Sequence, residues 1–332
     1  MTRAAAALAI VLSACAAAGG DGAPRAALDW QAAHGRAHPL AGRIRDVAAQ
    51  RWIDEPELLD ALARADLVLV GERHDHPDHH ALQARILRGL LARGHRPALV
   101  IEALDPDDTA GIERARAAPG DAAARAAVLR EAVAWDESGW PTWALYAPLF
   151  EAALAADLPI VPGNLARGER HALAHGGAAA LPPARRAALG LDAPADPEER
   201  RALAEQIREA HCGHAPEHAL ERMVDVQRAW NAQLARALAD AADATSGGVG
   251  TRALLVAGNE HVRRDRGAPR WLARFAPGAR VAAVGLLEVD PGDRAEATPP
   301  AAPPFDYVWW TPRLDLDDPC EKFRESLESM GR

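Results

Sequence analysis

Lysine occurs once in the 332 residues, at Lys322, and tyrosine only twice, at Tyr146 and Tyr307. The lysine deficit accompanies heavy use of alanine and arginine, a pattern of GC-rich coding that says nothing about function. Three cysteines, Cys15, Cys212 and Cys320, are too few for a scaffold held by many disulfides. Cys212 and Cys320 are far apart in sequence, so a single bridge stays open without being implied. Acidic residues outnumber basic ones, giving a net charge of −9 (38 − 47). That balance excludes wholesale nucleic-acid binding, which requires a basic face. No repeat of 20 to 50 residues is visible, which excludes a solenoid.

The first residues read as an export signal. Arg3 supplies positive charge, Ala4 to Val11 form an apolar segment too short to span a bilayer, and Leu12-Ser13-Ala14-Cys15 follows. This resembles a bacterial lipobox, with residues 1–14 removed and Cys15 lipidated, leaving 318 residues (332 − 14). An ordinary cleaved signal with a chance cysteine is the alternative. A lipid would anchor the chain to a membrane without a spanning helix. Ala16 after the cysteine, by resemblance to other lipoproteins, favours the outer membrane and a periplasmic orientation. Residues 15–27 suit a tether, and 28–332 is read as a single domain.

The chain is organised around Leu67 to His80. Leu67 to Val70 is an uninterrupted apolar run of the kind expected for a strand buried on both faces. Glu72 and His74 follow, two residues apart, so extended backbone would turn both to one side. Pro77 suits a first helical turn, and Leu82, Ile86, Leu87 and Leu90 give that helix an apolar stripe. Further strands are expected at Ala98 to Ile101, Leu158 to Val161, Ala253 to Ala257 and Arg280 to Leu287, with Tyr307 to Trp310 as an edge strand. Helical patterns fill the intervals. The expected fold is therefore α/β, a largely parallel central sheet with flanking helices. A helical cap at about 165–244 is inserted between the third and fourth strands.

Ligands of such sheets bind beyond the carboxyl ends of the strands. There the sequence places Glu72 and His74, then Glu102, then Asn164, then Asn259, Glu260 and His261. Taken singly, each fits a helix cap or a turn hydrogen bond. Together, Glu72, His74, Glu102 and His261 form a donor set suited to Zn, Mn or Fe and to metal-assisted hydrolysis. Without a metal the same four are candidate catalytic acids and bases. His76, His79 and His80 read as first-turn partners rather than ligands. Trp135, Trp140 and Trp143 could line a flat apolar cavity, but core packing is the default for such a cluster. Met223, on a late helix, is equally ambiguous.

Gly71-Glu72-Arg73-His74-Asp75, His79-His80, Ser138-Gly139-Trp140-Pro141, Asn164, His211-Cys212 and Gly258-Asn259-Glu260-His261 come in an order that resembles the ChaN-type haem-binding uptake lipoproteins. These belong to the Tiki superfamily, with erythromycin-esterase-like enzymes and Tiki metalloproteases. The resemblance covers roughly residues 50 to 290. It implies the capped α/β fold, haem as ligand in iron uptake, and a homodimer with two stacked haems. It also implies a tyrosine on the iron, for which Tyr146 is the candidate, with Trp140, Met223 and Asn164 around the porphyrin. The superfamily's hydrolases imply the alternative, a metal-dependent hydrolase using the Glu/His set.

Overall fold

A computed structural model describes residues 28–245, 250–292, 303–322 and 324. The export signal, Cys15 and the tether lie outside the described residues. In chain order the elements are β1 (Ile44–Asp46), β2 (Arg51–Ile53), α1 (Glu55–Ala63), β3 (Leu67–Glu72), α2 (Pro77–Ala92), β4 (Ala98–Ile101), α3 (Thr109–Ala117), α4 (Ala122–Ala132), α5 (Trp143–Ala155) and β5 (Ile160–Pro162). They continue with α6 (Arg167–Gly176), α7 (Pro183–Leu189), α8 (Pro197–Ala210), α9 (Glu217–Ala244), β6 (Ala253–Gly258), α10 (Asn259–Val262), α11 (Ala268–Phe275), β7 (Val281–Glu288), β8 (Tyr307–Thr311) and α12 (Pro319–Lys322).

The strands form one sheet of eight, in the order β2-β1-β8-β7-β3-β6-β4-β5. From β8 to β5 every pairing is parallel, and only β1 pairs antiparallel, with β8 and β2. β3 lies in the middle, hydrogen-bonded on both sides, and all six of its residues are buried. That is why its sequence runs apolar without alternation. Successive side chains still point to opposite faces. Val68 and Val70 join a cluster with Leu62 of α1, Ile86 of α2 and Phe150 of α5. Leu67 and Leu69 face a second cluster containing Leu234 and Leu238 of α9 and Leu272 of α11. Helices thus cover both faces.

Local chemistry sets the starts of the helices that matter for the site. Asp54 caps α1 reciprocally with Glu57, and Pro77 opens α2 behind the His76 side chain, whose ring nitrogen accepts from Asp78 N–H at 3.2 Å. The helical excursion between β5 and β6 does two jobs. The later turns of α9 cover one face of the sheet, while Leu220 and Val224 near its start pack with Leu203 and Ile207 of α8 as a separate small cluster, the cap proper.

One expectation needs correction, and one open question is answered. Tyr307–Thr311 is not an edge strand but lies between β7 and β1. The edge beyond it is made by β1 and β2, whose three residues each are too short to show a readable period. Cys212 and Cys320 are bonded to each other, joining the turn between α8 and α9 to the first turn of α12. Among the described residues no helix is long and apolar enough to cross a membrane.

Candidate functional site

Parallel register sets the site. Glu72 pairs with Gly258 across β3 and β6, and Ile101 pairs with Val256 across β4 and β6. The ends of three adjacent strands are therefore level, and Glu72, Glu102 and Gly258 come to one place. α10 starts immediately after Gly258 and brings His261 back over the same edge.

Glu72 is 4% exposed and wrapped in donors. Its Oε1 accepts from the Tyr146 hydroxyl at 2.9 Å and from His74 Nδ1 at 2.8 Å, and its Oε2 accepts from Gln83 Nε2 at 2.7 Å. His80 Nδ1 approaches Oε2 at 3.4 Å. Burial alone would raise the carboxyl's pKa, but the charge of His80 and the hydrogen bond and charge of His74 outweigh it and hold the group below its ordinary range. Glu102 forms the second pair. Its Oε2 accepts from Gly258 N–H at 2.7 Å and its Oε1 lies 3.3 Å from His261 Nε2. Here too burial is overcome, by the charge and hydrogen bond of His261, and the pKa falls to about 2.

The two imidazoles differ. Both ring nitrogens of His261 are engaged, Nδ1 with Asn231 Oδ1 at 2.7 Å and Nε2 with Glu102. The side chain of His74 is 42% exposed, against 9% for His261. Burial lowers the His74 pKa, but the Glu72 hydrogen bond and the nearby charges of Glu102 and Glu72 turn the net shift upward. The two imidazole–carboxylate pairs therefore face one edge, with Glu102 acting on both rings. Trp140 meets the His74 ring edge-on at 4.9 Å, and Trp230 lies 5.3 Å from His261. Beside Trp140 a cleft continues along the edge, lined by Leu104, Asp105, Asp108, Asn164, Arg167 and Arg170.

Several sequence candidates take other roles in this arrangement. Tyr146 is 1% exposed, packed between His80 and Trp135, with its hydroxyl turned inward to Glu72. Burial, then the Glu72 charge, hold the phenol far above its usual range, the opposite of what a tyrosinate ligand requires. Asn164 is buried and joins two strand ends, donating to Glu102 O at 3.0 Å and accepting from Leu165 N–H. Met223 packs on the small α8–α9 cluster. Trp135 and Trp143 are core, and Trp140 alone of the three reaches the edge.

The Zn, Mn or Fe site expected of Glu72, His74, Glu102 and His261 is not supported. Among the described residues no group of three or more His, Cys, Asp or Glu side chains is arranged to hold a metal ion. The physical reason is that the carboxylate oxygens are already taken by Tyr146, Gln83, the Gly258 N–H and the two histidines. His76 and His79 are buried and stacked, bonded to Pro312 O and Thr311 Oγ1, and are structural.

Sequence reasoning missed Gln83 and Asn231. Gln83 sits four residues from both His79 and Leu87, on the buried stripe of α2, where a polar residue wants a partner. Asn231 breaks the apolar face of α9 in the same way. At Gly258 a Cβ would lie 3.0 Å from His74 Cε1 and 3.2 Å from Nε2, so any larger residue there would press the imidazole aside by a few tenths of an ångström.

Fold and edge together define an α/β protein whose parallel sheet gathers two imidazole–carboxylate pairs at its carboxyl edge, one of them packed against α9. Residues 58–272 match the family described as haem-binding uptake, Tiki superfamily, ChaN, and the chain belongs to that family. Among solved structures it is similar to ChaN of Campylobacter jejuni, described by its cofacial haem binding, at 21% identity over 80% of this chain and 95% of that one, with a TM-score of 0.60. That likeness shows a common fold. Weaker matches are the type III effector HopBA1, at 14% identity over 77% and 91% of the two chains with a TM-score of 0.40, and a succinoglycan biosynthesis protein, at 13% over 70% and 68% with a TM-score of 0.37. No curated protein matches the chain in sequence.

Proposed function

We propose that this protein binds haem at the carboxyl edge of its sheet, in iron uptake, as a lipoprotein anchored through Cys15. Membership of the haem-binding uptake family carries the reading, because the matched residues 58–272 include every side chain of the edge site. The chemistry of the edge fits a porphyrin. Trp140 and Trp230 offer apolar walls, and Arg167 in the adjoining cleft suits a propionate carboxylate, whereas Arg170 is held by Asp105 Oδ2 at 3.2 Å. Anchoring at the outer membrane facing the periplasm, and association of two copies around the ligand, extend the same reading. Titrating the purified protein with haemin should give a saturable shift of the Soret band. A spectrum identical to free haemin at every ratio would defeat it.

A second reading rests on one observation, the two carboxylate–imidazole pairs facing each other across Glu102. Without a metal, such pairs suit general acid–base hydrolysis, with Glu72 orienting His74 as base. Hydrolysis of an ester or amide panel that vanishes in Glu102→Gln would support it, and inertness toward the whole panel would count against it.

A further inference from the structure

We propose that His171 and His175, on the outer face of α6, form a two-imidazole chelate for a borderline divalent cation, Cu²⁺ above all. The site is separate from the carboxyl edge and does not rest on the haem reading. Of the ten residues of α6 only Leu173 is buried, and both histidines are exposed. Residues four apart on a helix share one face. Here the two rings meet, with centroids 4.2 Å apart and planes tilted by 37°. Two nitrogens that each sit about 2.0–2.1 Å from one ion stand within about 4 Å of each other. Rings already in contact reach that spacing by small side-chain rotations.

The lone pairs are available too. His175 Nδ1 lies 2.8 Å from the carbonyl of His171, which only accepts, so Nδ1 carries the proton and Nε2 the lone pair. That bond also fixes the ring, so less freedom is lost when an ion binds. Among the described residues no hydrogen bond or ion pair engages the ring of His171, whose contact is with His175. His175 stands in the last turn of α6, where the helix carbonyls favour a cation. The basic neighbours are drawn away, Arg167 into the cleft beside Trp140 and Arg170 to Asp105 Oδ2 at 3.2 Å. The other stacked histidine pair, His76 with His79, is buried and bonded to Pro312 O and Thr311 Oγ1. Imidazole nitrogen suits Cu²⁺, Ni²⁺ and Zn²⁺, with Cu²⁺ the tightest, whereas Mg²⁺ and Ca²⁺ take oxygen.

The test titrates Cu²⁺ alone into the full chain after removal of metal by a chelator. At one equivalent, electron paramagnetic resonance should show hyperfine splitting from two imidazole nitrogens. Calorimetry should show that first equivalent weakened about tenfold or more in His171→Ala and to a similar extent in His175→Ala, with the double variant no weaker than either. Ni²⁺ and Zn²⁺ should compete for it, and excess Mg²⁺ should not. Alanine suits an exposed helical position, so circular dichroism and melting temperature should stay at wild-type values. A first equivalent held by the double variant as tightly as by wild type would overturn the proposal. Losses that add up in the double variant would mean two independent imidazoles and would overturn it as well. So would a first equivalent lost in His74→Ala instead, which would return the metal to the carboxyl edge.

Discussion

Oε1 of Glu72 accepts at once from the Tyr146 hydroxyl, at 2.9 Å, and from His74 Nδ1, at 2.8 Å. One buried oxygen thus ties the core helix α5 to the exposed end of the site. The tyrosine secures the carboxylate, and the carboxylate sets the histidine.

Tyr146→Phe removes one donor from a buried charge while keeping the ring. It should destabilise the fold by roughly 1–3 kcal/mol, read from the denaturant midpoint, and leave the haem-bound spectrum close to wild type. Glu72→Ala should cost more, because Tyr146 and Gln83 both lose their acceptor.

Gly71 is a position of close approach, since a Cβ there would lie 2.1 Å from Asn259 Oδ1. Asn259 in turn donates to Leu286 O at 2.7 Å, so it cannot simply swing aside. Gly71→Ala should destabilise by about 1–3 kcal/mol in thermal or denaturant unfolding.

The Cys212–Cys320 bridge closes a separation of 108 residues. Removing it, by reductant or as the paired serine variant, should cost about 2–5 kcal/mol. The loss should appear as a lower melting temperature under reducing conditions, with no further effect of reductant on the variant.

Acid should weaken the fold through His76 and His79. Burial pushes both below the ordinary imidazole range, His79 well below it, with the charges of His76, His80 and Arg73 adding to the effect on His79. Groups with a depressed imidazole pKa bind protons more readily once unfolded. Their stabilisation is therefore complete above about pH 6.5 and is lost as pH falls below it. His74, shifted upward, has the opposite sign and favours the folded state until pH rises past its own pKa. Denaturant midpoints across pH 5 to 8 should fall on the acid side. His79→Gln should flatten that slope.

Much of this was legible in the sequence for physical reasons. A strand buried on both faces must be apolar throughout, which exposed β3, β4 and β6, and parallel sheets present their polar residues at the carboxyl ends, which exposed Glu72, His74, Glu102 and His261. Three-residue strands carry no period, so β1 and β2 were silent, and β8 could not be placed inward without its pairing with β1. Direction was hidden as well. The sequence puts Tyr146 on an amphipathic helix near the site, but only packing decides that its oxygen turns inward to Glu72. Likewise, nothing in residue types revealed that the carboxylates were already saturated by Tyr146, Gln83 and Gly258, which is what removes the metal site.

Hydrogen exchange by mass spectrometry, with and without haemin, tests most directly where the ligand sits. The account predicts added protection in 71–75, in 138–143 and in the turns of α9 around Gln227 to Asn231, with the rest of the chain unchanged. Protection confined to the cleft between Trp30 and Arg85, or to the amino edge around Arg64 and Tyr307, would contradict it.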